Sequence, residues 1–186
     1  MIALVTGAAS SGKSAYAEDL AMGLAPLRLY LATMYPEGRA AQERIARHRA
    51  LRAGKGFHTV EACDGFGRAL AMPASGVALV EDLGNLVAAR LFRPDGTVAD
   101  AEDAAAGALA DLRSVCAHFD HVVVVGNEVG ADGLGHGTLT DRYVRVLGRV
   151  ACSFAARCDM VVEVVCGVPS VAKGEERGGG VAAWTC

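Results

Sequence analysis

The chain has 186 residues, of which 52% are hydrophobic and 21% charged, and its formal net charge is −3. This hydrophobic content supports a substantial core, which excludes a disordered chain, and the length is typical of one domain. The slightly acidic balance argues against general nucleic-acid binding, so we expect any anion site to be local. We find neither a secretory signal nor an apolar stretch long enough to span a bilayer, and we therefore expect a cytoplasmic protein.

Short β-rich segments alternate with helical ones along the chain. Strands are predicted at Ile2–Thr6, Arg28–Ala32, Phe57–Glu61, Val77–Glu81, 121–126 and Met160–Val165. Helices are predicted at Lys13–Leu24, 37–52, 83–92, 99–118 and 139–157. Most of the strands are apolar on both faces, which predicts an α/β domain with a mainly parallel sheet and helices on both faces. We assign residues 1–172 to this domain, with irregular segments at 93–98 and 130–137 and a flexible tail at 173–186.

The strongest local signal is a complete G-x-x-x-x-G-K-S motif between the first strand and the first helix, which we call the phosphate loop. It consists of Gly7, Ala8, Ala9, Ser10, Ser11, Gly12, Lys13 and Ser14. Its glycines allow successive backbone N–H groups to point into one concavity, and the following helix adds its positive N-terminal end. Lys13 can reach the β- and γ-phosphates, and the Ser14 hydroxyl can bind Mg²⁺. The motif predicts binding of a nucleoside triphosphate.

An acidic partner for the metal should lie at the end of another apolar strand. The strand at Val77–Glu81 ends in two carboxylates, Glu81 and Asp82. Glu81 is the one we expect to hold Mg²⁺, through water, because Mg²⁺ keeps much of its hydration shell. The alternative is a solvated acid at a strand end.

A basic helix that carries one histidine is the second unusual feature. Arg44, His48 and Arg52 are spaced four residues apart and share one helical face, with Arg47 and Arg49 on its flanks. Neighbouring positive charge lowers the pKa of an imidazole, which favours its neutral, nucleophilic form. His48 is thus suited to attack a phosphorus atom while the arginines neutralise the oxyanion charge. Spacing alone favours the alternative, a solvated basic helix whose histidine only binds or faces water.

Several motifs in order along the chain resemble one known family. They are T-G-A-A-S-S-G-K-S at 6–14, Y-L-A-T at 30–33, R-I-A-R-H-R at 44–49, T-V-E at 59–61, V-E-D-L-G-N-L-V at 80–87, N-E-V-G at 127–130, L-G-R at 147–149 and V-V-C-G-V-P at 164–169. The family is the bifunctional adenosylcobinamide kinase and adenosylcobinamide-phosphate guanylyltransferase of cobalamin biosynthesis. The phosphate loop alone is unspecific, whereas R-I-x-x-H followed by N-E-V-G is far more specific.

The resemblance implies a P-loop NTPase-type α/β fold, a homotrimer and two reactions. The first phosphorylates the aminopropanol hydroxyl of adenosylcobinamide with ATP or GTP, and the second transfers GMP from GTP to that phosphate, with Mg²⁺. In the family the histidine of R-I-x-x-H carries GMP as a phosphoramidate, and that position is His48 here. The family's guanine-nucleotide contacts fall on the phosphate loop and on Ala32, Thr33, Met34, Arg49, Ala50, Leu51, Arg52, Glu61 and Glu81.

The chain also departs from the family pattern. Ser10 replaces a common arginine, and residues 131–143 differ from the usual sequence after N-E-V-G and contain T-x-x-Y, which indicates a divergent branch. Asn127 and Glu128 follow an apolar strand, where they form either a substrate contact or a loop-capping pair. Two other functions stay open: a simple small-metabolite kinase in which the basic helix is a lid, and a nucleotide-binding regulatory module that transfers no phosphoryl group.

Overall fold

Seven strands form one sheet in the order β3-β2-β4-β5-β1-β6-β7. The computed structural model describes residues 1–129 and 137–175. The strands are β1 Ile2–Thr6, β2 Arg28–Ala32, β3 Phe57–Glu61, β4 Val77–Glu81, β5 His121–Val125, β6 Met160–Val165 and β7 Val168–Lys173. The first six are parallel to one another, and β7 pairs antiparallel with β6 at the sheet edge.

Helices cover both faces of this sheet. They are α1 Lys13–Leu24, α2 Arg39–Leu51, α3 Gly67–Leu70, α4 Leu83–Leu91, α5 Ala101–His118 and α6 Thr138–Ala155. The α1 helix packs on one face, and α4, α5 and α6 pack on the other. The predicted α/β fold, with a mainly parallel sheet between two helical layers, is confirmed. Within the described residues, no helix combines the length and the hydropathy that crossing a membrane requires.

The central strands bury both of their faces, as expected for a parallel sheet between helices. All five residues of β4 are buried, and so are the four valines of β5. Side chains in the middle of these strands therefore lie in the hydrophobic core. Functional groups can emerge only where the strands end, and the register places Ala32, Glu61 and Glu81 side by side at the carboxyl edge.

Two elements were not predicted. The α3 helix is a single turn, and β7 forms because Cys166 and Gly167 both adopt positive φ, which closes a tight hairpin after β6. Lys173, which we expected to begin the tail, is the last residue of β7. Residues 130–136 and 176–186 lie outside the described residues, so the expectations for those segments stay predictions.

Helix boundaries follow local capping. Asp82 accepts a hydrogen bond from Asn85 N at 2.7 Å and so fixes the start of α4, and Asp100 does the same for α5 through Glu102 N at 2.8 Å. The α2 helix begins two residues later than predicted, because Gly38 at φ +79° breaks the helical backbone before Arg39. The segment 93–98 is irregular as predicted, and it is closed by an isolated bridge between Phe92 and Val98.

Candidate active site

The phosphate loop joins β1 to α1, and two of its glycines are required by geometry. Gly7 has φ +152°, and a Cβ there would lie 2.5 Å from the carbonyl oxygen of Val164. Gly12 has φ +93° and directly precedes α1. A larger residue at either position would meet strain or a backbone clash. Ser10, which stands where the family commonly has arginine, also has a positive φ of 60°.

The loop is held from the side by the β6–β7 hairpin. The backbone N–H of Gly167 donates to the carbonyl oxygen of Ser11 at 2.8 Å. Ser11 is buried, and its hydroxyl makes no hydrogen bond within the described part of the chain. Lys13 is also buried, and its Nζ donates to the carbonyl oxygen of Ala8 at 3.0 Å. The lysine ammonium thus lies over the loop, where a phosphate could replace the carbonyl as its partner.

Glu81 meets the phosphate loop from the end of β4. The Ser14 hydroxyl donates to Glu81 Oε1 at 2.7 Å, while Oε2 is buried without a partner in the described residues. Burial raises the pKa of Glu81 to about 8, with Asp82 and Glu18 acting in the same direction, against the lowering effects of the Ser14 hydrogen bond and Lys13. A serine hydroxyl and an unsatisfied carboxylate oxygen are the hard oxygen ligands that Mg²⁺ takes, so this pair fits the predicted metal.

His48 lies on α2 and faces the same carboxylate. Its Nδ1 is 3.9 Å from Glu81 Oε1, and about a quarter of its side chain is exposed. Burial is the largest cause that lowers the pKa of His48, followed by the positive charges of Arg47, Arg52 and Arg44. The direction of this pKa change agrees with the prediction, although burial outweighs each arginine taken singly. The histidine therefore stays neutral at neutral pH and lies next to the phosphate loop.

Arg52 differs from the other arginines of this segment. Its residue is buried, its guanidinium lies 3.3 Å from the centroid of the Tyr30 ring, and it donates to His48 O and to Thr59 Oγ1, both at 3.2 Å. Because α2 itself buries none of its residues, this contact is a main attachment of the helix to the sheet. Arg49, in contrast, is exposed and pairs with Glu61 at 2.8 Å.

The remaining predicted contacts divide into two groups. Thr33 is buried at the end of β2, where its hydroxyl donates to the Asp82 carbonyl oxygen at 2.9 Å, and its neighbours Ala32 and Met34 are partly buried. Ala50 and Leu51 face solvent. A cleft of about 420 Å³ opens beside the end of α2, and it is lined by Arg49, Arg52, Ala53, Gly54, Gly56, Phe57 and Thr59.

Sequence reasoning missed a second attachment of this region. Lys55 Nζ donates to Glu18 Oε2 at 2.6 Å, and Glu18 is almost fully buried on α1. This pair ties the loop after α2 to the helix that begins at the phosphate loop. No spacing rule could have identified it, because the two residues lie 37 positions apart.

Comparisons with known proteins agree with the motifs. The family described as cobinamide kinase / cobinamide phosphate guanyltransferase matches residues 3–171. The chain is 31% identical over 175 residues to the bifunctional adenosylcobalamin biosynthesis protein CobP of Pseudomonas aeruginosa, covering 92% of this chain and 97% of that protein.

Two solved structures are similar to this chain at lower sequence identity. The flagellar accessory protein FlaH from Methanocaldococcus jannaschii has a TM-score of 0.45 at 13% identity, covering 93% of this chain and 78% of that one. The P4 protein of bacteriophage phi6 in complex with ADP has a TM-score of 0.45 at 15% identity, covering 91% of this chain and 53% of that one. On the match over residues 3–171 and on the CobP relative, the chain belongs to the cobinamide kinase / cobinamide phosphate guanyltransferase family.

Proposed function

We propose that this protein phosphorylates the aminopropanol hydroxyl of adenosylcobinamide and then transfers GMP from GTP to that phosphate through a guanylyl-His48 intermediate. The products are adenosylcobinamide-GDP and pyrophosphate. The observation that carries the proposal is the position of His48, whose Nδ1 lies 3.9 Å from the carboxylate that bonds to Ser14 of the phosphate loop. This position supports a role for His48 at the nucleotide site, because it brings the imidazole to the carboxylate that contacts the phosphate loop.

The triphosphate binds to the phosphate loop. The backbone N–H groups of the loop and the N-terminal end of α1 surround the phosphates, and Lys13 exchanges the Ala8 carbonyl for phosphate oxygens. ATP or GTP serves the kinase step, and GTP serves the second step. Ser14 and Glu81 would hold Mg²⁺, which supplies positive charge against the phosphates when bound. Arg44, Arg47 and Arg49 are exposed near His48 and can neutralise further negative charge.

The neutral imidazole of His48 provides the nucleophile for the second step. Its lone pair attacks the α-phosphorus of GTP, an N–P bond forms, and the bond from the α-phosphorus to the bridging oxygen of pyrophosphate breaks. A phosphate oxygen of adenosylcobinamide phosphate then attacks the same phosphorus, and the N–P bond breaks to restore the histidine. Burial and the nearby arginines support this role, because both keep the imidazole unprotonated before attack.

GTP labelled at the α-phosphate tests the intermediate directly. We expect an acid-labile, base-stable label on the denatured protein that disappears in His48→Ala. The matched control is His58→Ala, which removes an exposed histidine from β3 and should keep the label. Absence of the label in wild-type protein that binds GTP with Mg²⁺ would contradict the covalent mechanism. Phosphorylation of a small acceptor without a label would favour a simple kinase, and nucleotide binding without either product would favour a regulatory module.

We also propose the homotrimeric assembly that the family resemblance implies. Light scattering coupled to gel filtration should give three times the mass of the chain. A monomer or dimer at micromolar concentration would contradict the proposal.

A further inference from the structure

Three polar side chains from three different elements converge on the first turn of α4. A Cβ added to Gly84 would lie 2.7 Å from the Tyr143 hydroxyl, 3.1 Å from Asn127 Nδ2 and 3.2 Å from Asp82 Oδ1. Gly84 is itself buried within a regular helix, so this position needs a glycine for space rather than for its conformation. Because Gly84 has no side chain, these three polar groups pack directly against the α4 backbone and form one polar cluster, which we call the Gly84 recess.

The Gly84 recess borders the phosphate site. Asp82 follows Glu81 directly in the chain, and the backbone N–H of Glu128, next to Asn127, donates to the Gly7 carbonyl oxygen at 3.4 Å. The recess belongs to the α4 and α6 layer, whereas α1 covers the opposite face of the sheet. His48 is held on the α1 side, because Arg52 stacks on Tyr30 in the core beneath α1. The phosphate loop therefore has His48 on one side and the recess on the other.

The groups around the recess have unused hydrogen-bonding capacity. In the described part of the chain, neither the Tyr143 hydroxyl nor the Asn127 amide group forms a hydrogen bond, while Asp82 Oδ1 accepts only from Asn85 N. Both Tyr143 and Asn127 are partly exposed, so a ligand can reach them. Burial raises the pKa of Tyr143 to about 12, and the charge of Asp82 adds to this effect, so the phenol remains a donor at neutral pH.

This combination favours a neutral alcohol. A hydroxyl group donates one hydrogen bond and accepts others, which matches a carboxylate acceptor beside phenol and amide donors. The Asp82 carboxylate disfavours an anionic ligand at the same point. We infer that Asp82, Asn127 and Tyr143 bind the acceptor hydroxyl of the kinase step and orient it toward the γ-phosphate. The inference rests on the proposed function, and it uses two motifs that the nucleotide site leaves without a role, N-E-V-G and T-x-x-Y.

Tyr143→Phe and Asn127→Ala test the assignment. Tyr143→Phe keeps the ring, whose centroid lies 6.4 Å from that of Phe92, and removes only the hydroxyl. Each variant should raise the KM for adenosylcobinamide about three- to tenfold, the loss of one hydrogen bond, with the KM for the nucleoside triphosphate unchanged. Gly84→Ala, whose methyl group would displace these three groups, should raise the KM for adenosylcobinamide at least as much. Tyr35→Phe removes the hydroxyl of an exposed tyrosine and is the matched control.

Labelling of His48 by GTP without corrinoid is the second measurement, and it should remain at the wild-type level in Tyr143→Phe and Asn127→Ala. A purely structural role for Tyr143 would lower the unfolding midpoint without moving the KM for the acceptor, and that result would overturn the inference. If wild-type protein is labelled by GTP and binds adenosylcobinamide, but both variants bind it equally well, the recess assignment alone fails. If wild-type protein does not bind adenosylcobinamide, the proposed function and the recess assignment both fail.

Discussion

Replacement of Glu81 by glutamine should stabilise the protein in the absence of metal and nucleotide, and the gain should grow with pH. Burial raises the pKa of Glu81 from an ordinary value of 4.5 to about 8. The folded state therefore holds one more proton than the unfolded state between these two values. Stability that depends on this proton is fully present below pH 4.5 and is lost as the pH rises to about 8.

The magnitude follows from the width of this window. One pH unit corresponds to about 1.36 kcal/mol, so Glu81 lowers the free energy of unfolding by on the order of 3 kcal/mol at pH 7 and 5 kcal/mol above pH 8. Glutamine is neutral at every pH and has nearly the same shape, and its carbonyl oxygen can still accept from the Ser14 hydroxyl. Glu81→Gln should therefore exceed the wild-type stability by about these amounts. Total domain stabilities are about 5–15 kcal/mol, which makes the difference measurable.

Urea unfolding at pH 5, 6, 7 and 8.5, with EDTA and without nucleotide, measures the effect. The comparison at pH 5 is an internal control, because both folded proteins then carry a neutral side chain at position 81 and the expected difference is below about 1 kcal/mol. Curves that stay parallel from pH 5 to 8.5 would refute the reasoning, since they would show that Glu81 titrates in the folded state as it does in the unfolded state. Glu81→Gln should also bind Mg²⁺ and GTP more weakly, because the buried carboxylate that lowers the stability of the fold is the group proposed to hold the metal.

Three further outcomes are expected. The rate of His48 labelling should stay constant as the pH falls to 6.5 and should decline only below that pH, because the pKa of His48 is lowered. Arg47→Gln removes one of the causes and should shift this decline to higher pH. A decline of the wild-type rate that begins above pH 6.5 would contradict the lowered pKa. Arg52→Lys should slow labelling at saturating GTP, while the KM for GTP changes less than about twofold. The reason is that lysine lacks the planar guanidinium group that donates to the His48 carbonyl oxygen. A rise in the KM alone would instead make Arg52 a nucleotide contact. Lys13→Ala should weaken GTP binding on the order of 10- to 100-fold in equilibrium titration, the loss of one charge-assisted hydrogen bond, and unchanged affinity would argue against phosphate binding at this loop.

The sequence predicted those parts of the molecule whose structure is set locally. The phosphate loop is one of them, because the positive φ values of Gly7 and Gly12 are encoded by glycine at those positions. Most of the parallel strands are another, since runs of valine, leucine and alanine that are apolar on both faces are typical of a covered parallel sheet. The order of the strands and the antiparallel β7 were not predicted, because they depend on pairing between distant segments.

Arg52 shows why the geometry of the site needed the structure. Helical spacing predicted that it would share one helical face with Arg44 and His48, but α2 ends at Leu51 and the Arg52 guanidinium stacks on the Tyr30 ring. Likewise, charge alone gave the direction of the pKa change at His48, whereas burial, which is the largest single cause, depends on how α2 lies over the sheet. In both cases the decisive contact is with a strand or helix that is remote in sequence.

The arrangement of the two proposed nucleophiles explains how one phosphate loop can serve two reactions. The kinase step needs the acceptor hydroxyl at the γ-phosphorus, and the guanylyl step needs His48 at the α-phosphorus, so the two groups must reach different positions along one triphosphate. His48 is held on the α1 side of the sheet by Arg52, and the Gly84 recess lies in the α4 and α6 layer. Both flank the same loop, and one loop holds one triphosphate at a time. In the proposed cycle the two steps at a given loop therefore take turns, with nucleotide exchange between them.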